Sequence, residues 1–167
     1  MDGSYVEEAL TDAERAFQDT RGHTAEDGLS VTDAALVQLR KACRLLEAAR
    51  TLRQRNGYYT VVIEASFVAI ERSIQFYLLH RGHVSAEDLR YEHTEIYRHG
   101  TTVNLFSDTF ADRLTQLWKQ NRAEVYYRDT VASAEQADAM LALAEAVHRY
   151  VLDYASLEYE CVCSSST

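Results

Sequence analysis

The segment Ser133-Ala134-Glu135-Gln136-Ala137-Asp138-Ala139-Met140-Leu141-Ala142-Leu143-Ala144-Glu145-Ala146-Val147-His148-Arg149-Tyr150-Val151-Leu152-Asp153-Tyr154 steps its apolar residues by three and four. Met140, Leu143, Ala144, Val147, Tyr150, Val151 and Tyr154 therefore share one face of a helix and no face of a strand. Ser133 and Gln136 stand three apart, the capping-box spacing that starts a helix.

Working back from that helix, the chain contains no proline, and glycines and capping residues punctuate runs of the same helical period. Ser4 with Glu7 caps a first helix of roughly fourteen residues, ended by Arg21-Gly22; His23 to Leu29 reads as a linker. Ser30 caps a second helix that runs to Asn56-Gly57, with Leu36, Leu39, Cys43, Leu46 and Ala49 on its inner side. A third runs from Tyr58 to about His80. Val62, Ile63, Ser66, Phe67, Ile70, Ser73, Ile74, Tyr77 and Leu78 face its core, with Glu64, Glu71, Arg72 and Gln75 opposite, so it should be half buried. Ser85 with Asp88 restarts a shorter helix that reaches Gly100, and the next begins near Asn104 and continues through Leu117, Trp118 and Val125 to about Arg128. Short connections between such helices favour antiparallel neighbours. The expectation is an all-α, up-and-down bundle of four long helices with a short inserted helix and an N-terminal helix. Residues 1–29 form the N-terminal helix and linker, 30–157 the bundle, and 158–167 a disordered polar tail.

A chain of 167 residues is about one domain long and buries a core without staples. Its apolar runs are too short to cross a bilayer, and its acidic N-terminus lacks the basic start of a secretory signal. The expected compartment is the cytoplasm. Three cysteines, Cys43, Cys161 and Cys163, are an odd count that fits reduced thiols better than a disulfide framework. The net charge of −9 disfavours general nucleic-acid binding. Lys41 and Lys119 are the only lysines, and with excess acid this skew points to a salt-rich cytoplasm or a GC-rich genome. No phosphate loop, nucleophile elbow or His-Glu-x-x-His occurs. His80 with His83 and Glu95 with His99 have metal-ligand spacing but no third partner in sequence. No metal site or cofactor is expected.

Candidate functional residues gather in Leu117-Trp118-Lys119-Gln120-Asn121-Arg122-Ala123-Glu124-Val125-Tyr126-Tyr127-Arg128. Trp118, Arg122 and Tyr126 recur every four residues, which places the guanidinium between two rings. Asn121 falls on the apolar face between Leu117 and Val125, where a buried amide must find a partner; it either fastens a loop or orients a neighbouring polar group at an interface. Arg40, Lys41, Arg44 and Arg55 make a basic face on the second helix, either a solvated surface or a docking site.

The third helix with Glu71, Arg72 and Gln75, the short insert, Asn121-Arg122-Ala123-Glu124-Val125-Tyr126-Tyr127 and the striped last helix together resemble a HEPN domain, over about residues 30 to 155. In active members of that superfamily an arginine is followed after four to six residues by a histidine. Two subunits then bring these motifs together to cleave RNA without metal, by attack of the ribose 2′-hydroxyl on the adjacent phosphate. Counting from Arg122, the histidine positions hold Tyr127, Arg128 or Asp129, and a phenol is a poor base at neutral pH. The resemblance thus implies a homodimeric, non-catalytic binding or toxin-antitoxin-type module. Its partner would be a nucleotidyltransferase-type protein, with Asn121, Arg122, Tyr126 and Tyr127 lining the dimer cleft. The alternatives are a metal-independent ribonuclease, in which Arg122 works with Tyr127 or with a distant histidine such as His93 or His99, and a structural bundle with no ligand.

Overall fold

The computed structural model describes residues 4–18, 26, 29, 31–89, 93–126 and 130–155. All regular structure among them is helical: α1 Ser4–Gln18, α2 Ala34–Gln54, α3 Tyr59–His80, α4 His93–Thr102, α5 Asp108–Gln120 continued by a π-helical segment Asn121–Tyr126, and α6 Ala134–Ala155. The chain divides into two units between Ser30 and Val31. The first contains α1, an amphipathic helix whose apolar side chains Tyr5, Val6, Leu10 and Phe17 are exposed.

In the second unit α3 is the central helix. It packs against α2, α6 and α4, while α5 packs on α4. Leu39, Leu46 and Ala49 of α2 meet Ile63, Phe67, Ile70 and Ile74 of α3 and Ala137, Ala144, Val147 and Val151 of α6 in one core. The expectation that α3 exposes one side fails, because Glu71 and Gln75 are buried along with the apolar stripe. A helix surrounded by neighbours tolerates polar groups only when they are paired. Ser66 Oγ donates to the Val62 carbonyl at 2.7 Å, Ser73 Oγ to the Ala69 carbonyl at 2.8 Å, and Arg72 bonds to Gln75 and Gln38.

Helix boundaries differ from the sequence reading in three places. Asp33, not Ser30, caps α2, its carboxylate accepting from the backbone N–H groups of Ala35 and Leu36; Ser30 lies outside the described residues. Ser85 and Asp88 do bond to each other, but as a turn, and α4 starts only at His93. It also continues past Gly100 to Thr102, because Gly100 serves close packing: a Cβ there would sit 3.0 Å from the Phe106 ring. α5 starts at Asp108, capped by Ser107, while Asn104 adopts a positive φ of 57° in the preceding turn. The capping box at the start of α6 forms as read, Ser133 and Gln136 bonding each other's backbone N–H at 2.9 and 3.2 Å. Tyr150 and Tyr154 of the α6 stripe are half exposed, and their hydroxyls donate to the carbonyls of Leu105 and Asn104. They bind the α4–α5 connection to α6. The C-terminal tail expectation lies outside the described residues.

Cys43 is disulfide-bonded, against the expectation of reduced thiols; Cys161 and Cys163 lie outside the described residues. No helix among the described residues is long and apolar enough to cross a membrane.

Candidate functional site

Glu64 and Glu71 lie two turns apart on α3; Glu64 takes its partners from the π segment and Glu71 from α4. Glu64 accepts from the Asn121 side-chain amide at 2.7 Å and pairs with the Arg122 guanidinium at 2.9 Å. The buried amide thus holds a neighbouring carboxylate. Glu71 meets His93 Nδ1 at 2.7 Å and accepts from the Tyr97 hydroxyl at 3.3 Å. The Trp118 indole links the two halves: the His93 ring stacks on it with centroids 5.4 Å apart, and the Arg122 guanidinium lies over it at 5.3 Å. A guanidinium on an indole contributes roughly 0.5–2 kcal/mol depending on desolvation.

The electrostatics follow from burial. Burial pushes the Glu71 carboxyl above the ordinary carboxylate range, against the downward pull of His93, Tyr97 and Arg72. Burial also raises the Tyr97 phenol, reinforced by Glu71. Arg122 pulls that phenol down and Glu64 pushes it up, both less than burial and Glu71 do.

The backbone helps to form the site. At Asn121 the helix widens from α to π, and Asn121 through Tyr126 continue with that looser winding. Such segments recur at functional sites because they break side-chain phase. Of the four-residue stacking of Trp118, Arg122 and Tyr126, the first pair is present, the Arg122 guanidinium lying over the Trp118 ring. The side chain of Tyr126, together with Tyr127, Arg128 and Asp129, lies outside the described residues. Arg40 and Arg44 lie on α2, which packs on α3 and α6; Arg44 reaches Glu47 at 3.9 Å. The contacts that build the Arg122 cluster come instead from α3, α4, α5 and the π segment.

The sequence reading named His93 as a distant histidine for the ribonuclease alternative, and it lies within the cluster. His148 was not singled out: it lies in the core, with Nδ1 2.9 Å from Ser73 Oγ and Nε2 3.7 Å from Cys43 Sγ. Ser73 Oγ also donates to the Ala69 carbonyl at 2.8 Å. The position of His148 between Val147 and Val151, one turn after Ala144, was the available signal. Burial, then the nearby Arg50 charge, lowers its pKa to about 4, so it is neutral at physiological pH.

Among the described residues no three His, Cys, Asp or Glu side chains converge as a metal site. His80 stacks on Phe76, and the His83 ring lies tilted against Tyr77.

A half-open cavity of about 300 Å³ adjoins the cluster on the other side of Asn121, between α3, the α5–π junction and α6. A second recess of about 520 Å³ lies further along α6, beside Phe106, Phe110 and Tyr150, and the two share Leu143.

Comparison with curated proteins and with solved structures finds no match. A family model does match, over residues 1–163. The chain belongs to that family, described as a domain of unknown function, DUF8154.

Proposed function

We propose that this chain is a HEPN-like, non-catalytic binding module that works as a homodimer and engages a nucleotidyltransferase-type protein partner. One observation carries the reading: each cationic or protonatable group of the cluster already has its own carboxylate. Glu64 takes Arg122 and Glu71 takes His93. A centre that attracts an RNA phosphate needs uncompensated positive charge, because phosphate neutralisation supplies most of the affinity. Here the cations of the cluster are matched by carboxylates, on a chain of net charge −9. Pairing of this kind fixes geometry and specificity at an interface more than it adds affinity.

A second reading is favoured by the shared contact of His93 and Arg122 with Trp118. With Glu71 holding Nδ1, Nε2 of His93 would take the ribose 2′-hydroxyl proton. The 2′-oxygen would form its bond to phosphorus as the bond to the 5′-oxygen breaks, that oxygen leaving with a proton from solvent. Arg122 would stabilise the negative charge on the phosphorane. The products would be a 2′,3′-cyclic phosphate and a 5′-hydroxyl.

The deciding test incubates the folded chain with mixed structured and single-stranded RNA in EDTA, at low and high potassium chloride. The binding-module reading expects intact RNA. It also expects Arg122→Ala to weaken binding of a nucleotidyltransferase-type protein encoded beside this gene, measured by titration. Cleavage to cyclic-phosphate ends that disappears in both Arg122→Ala and His93→Ala would replace it with the ribonuclease reading. Equal partner affinity of mutant and wild type would remove Arg122 from the interface.

A further inference from the structure

The cavity behind Asn121 is walled by apolar side chains and carries a single charge. Helices α3 and α6 give it Ile63, Phe67, Met140 and Leu143, and the α5–π junction adds Leu117 and Val125. The same junction supplies Gln120, Asn121 and Glu124, and Gln136 of α6 completes the polar groups. Glu124 is the one acidic side chain of the lining, which contains no lysine, arginine or histidine. An anion placed there would meet a carboxylate and no counter-charge, whereas a cation would find its complement.

The hydrogen bonds that the amides already make define what they still offer. Asn121 gives an N–H to Glu64 at 2.7 Å, leaving its carbonyl oxygen to accept. Gln120 gives its amide N–H to Glu124 at 3.5 Å, again leaving the carbonyl oxygen. Gln136 is the exception, since its carbonyl oxygen accepts from the Ser133 backbone N–H and its NH2 is left to donate. Three side chains spaced within about one turn, Gln120, Asn121 and Glu124, therefore present acceptor oxygens. A primary ammonium carries three N–H donors and one positive charge, which complements that set. The walls require the rest of the ligand to be apolar. The cavity volume of about 300 Å³ is at the lower end of the range for small-ligand pockets, so the apolar body is small.

We propose that this cavity binds a small primary ammonium compound with an apolar body, its nitrogen held by Glu124 and the carbonyl oxygens of Gln120 and Asn121. The inference goes beyond the partner-module reading and does not depend on it. Asn121 joins the two regions, because its N–H holds Glu64, which holds Arg122.

The test is isothermal titration calorimetry on the full chain with hexylamine and phenethylamine as probes. Hexanol and phenethyl alcohol are the uncharged counterparts, phenylacetate reverses the charge, and ethylamine keeps the ammonium without the apolar body. The proposal expects saturable binding of at least one of the two probe amines, tighter than that of every control. Glu124 is exposed at the rim, so Glu124→Gln removes the charge and keeps the shape. It should weaken amine binding about fivefold, the upper end of what an exposed ion pair contributes, and leave the melting temperature unchanged. Ala139 is a second exposed lining residue, and Ala139→Phe, which narrows the cavity, should weaken the same amine about tenfold. Equal binding of an amine and its alcohol overturns the proposal, as does amine binding that Glu124→Gln or Ala139→Phe leaves intact. Failure of both probe amines to bind overturns it too. A dimer in sedimentation that Ala139→Phe dissociates also overturns it, because the groove would then belong to a second copy.

Discussion

His148 makes folding sensitive to mild acid. In the unfolded chain its imidazole takes a proton near the ordinary value of 6.5, whereas burial in the folded chain holds it back until about pH 4. Between those limits the unfolded state binds more protons, so stability falls as pH falls and is fully present above the unfolded value. Each tenfold difference in proton affinity is worth about 1.4 kcal/mol, so the whole displacement amounts to about 3 kcal/mol. Around pH 5 roughly 2 kcal/mol of that is gone, a large fraction of the 5–15 kcal/mol typical of a domain. The assay is urea unfolding followed by Trp118 fluorescence, stepping from about pH 7.5 to about pH 4.5, for wild type and His148→Gln. Glutamine keeps a polar group near Ser73 but does not titrate. The carboxylates titrate in both proteins, and the difference in slope isolates the histidine. The wild type should lose about 2 kcal/mol more than the variant on reaching pH 5. Parallel curves would refute the argument, whatever the offset between them.

Removing the amide in Asn121→Ala leaves the half-buried Glu64 with one fewer donor, and chemical denaturation should report a loss of about 1–3 kcal/mol. Tyr150→Phe deletes the hydroxyl that fastens α6 to the Leu105 carbonyl; a loss of about 1 kcal/mol is expected, with unchanged helicity by circular dichroism. Gly100→Ala drives a methyl against the Phe106 ring, and should cost about 1–3 kcal/mol, read as a lower melting temperature. If the acidic, lysine-poor composition is an adaptation to high salt, dilution of potassium chloride should lower the melting temperature. A melting temperature indifferent to salt would dissociate composition from salt adaptation.

Periodicity made the helices legible. The α6 capping box was read as it forms, and Met140, Ala144, Val147 and Val151 of its stripe are buried, because both signals are local: a 3.6-residue period and a bond between positions three apart. Asn121 was legible for the same reason, an amide on an otherwise apolar face. The fate of Glu71 and Gln75 was not, since they sit opposite the apolar stripe of α3 and their partners come from distant sequence: His93 and Tyr97 of α4 for Glu71, and for Gln75 an Arg72 that also reaches Gln38 of α2. His93 was undervalued because 22 residues separate it from Glu71, and no local pattern encodes that pairing. The widening at Asn121 was also invisible, since no proline or glycine marks it and the 118–122–126 spacing presumes an unbroken α-helix.

The π segment also bears on which insertions and deletions the chain tolerates. A wider turn accommodates an extra residue without advancing the helix, as if one amino acid had been added to an α-helical path and absorbed locally. Deletion of one exposed residue there, such as Ala123, restores ordinary winding after a local rearrangement and leaves Trp118 and everything before it in register. The same deletion within α3 rotates every later side chain by about 100°, turning Ile74 and Leu78 out of the core. A length change is therefore survivable beside the candidate site and ruinous at the centre of the bundle.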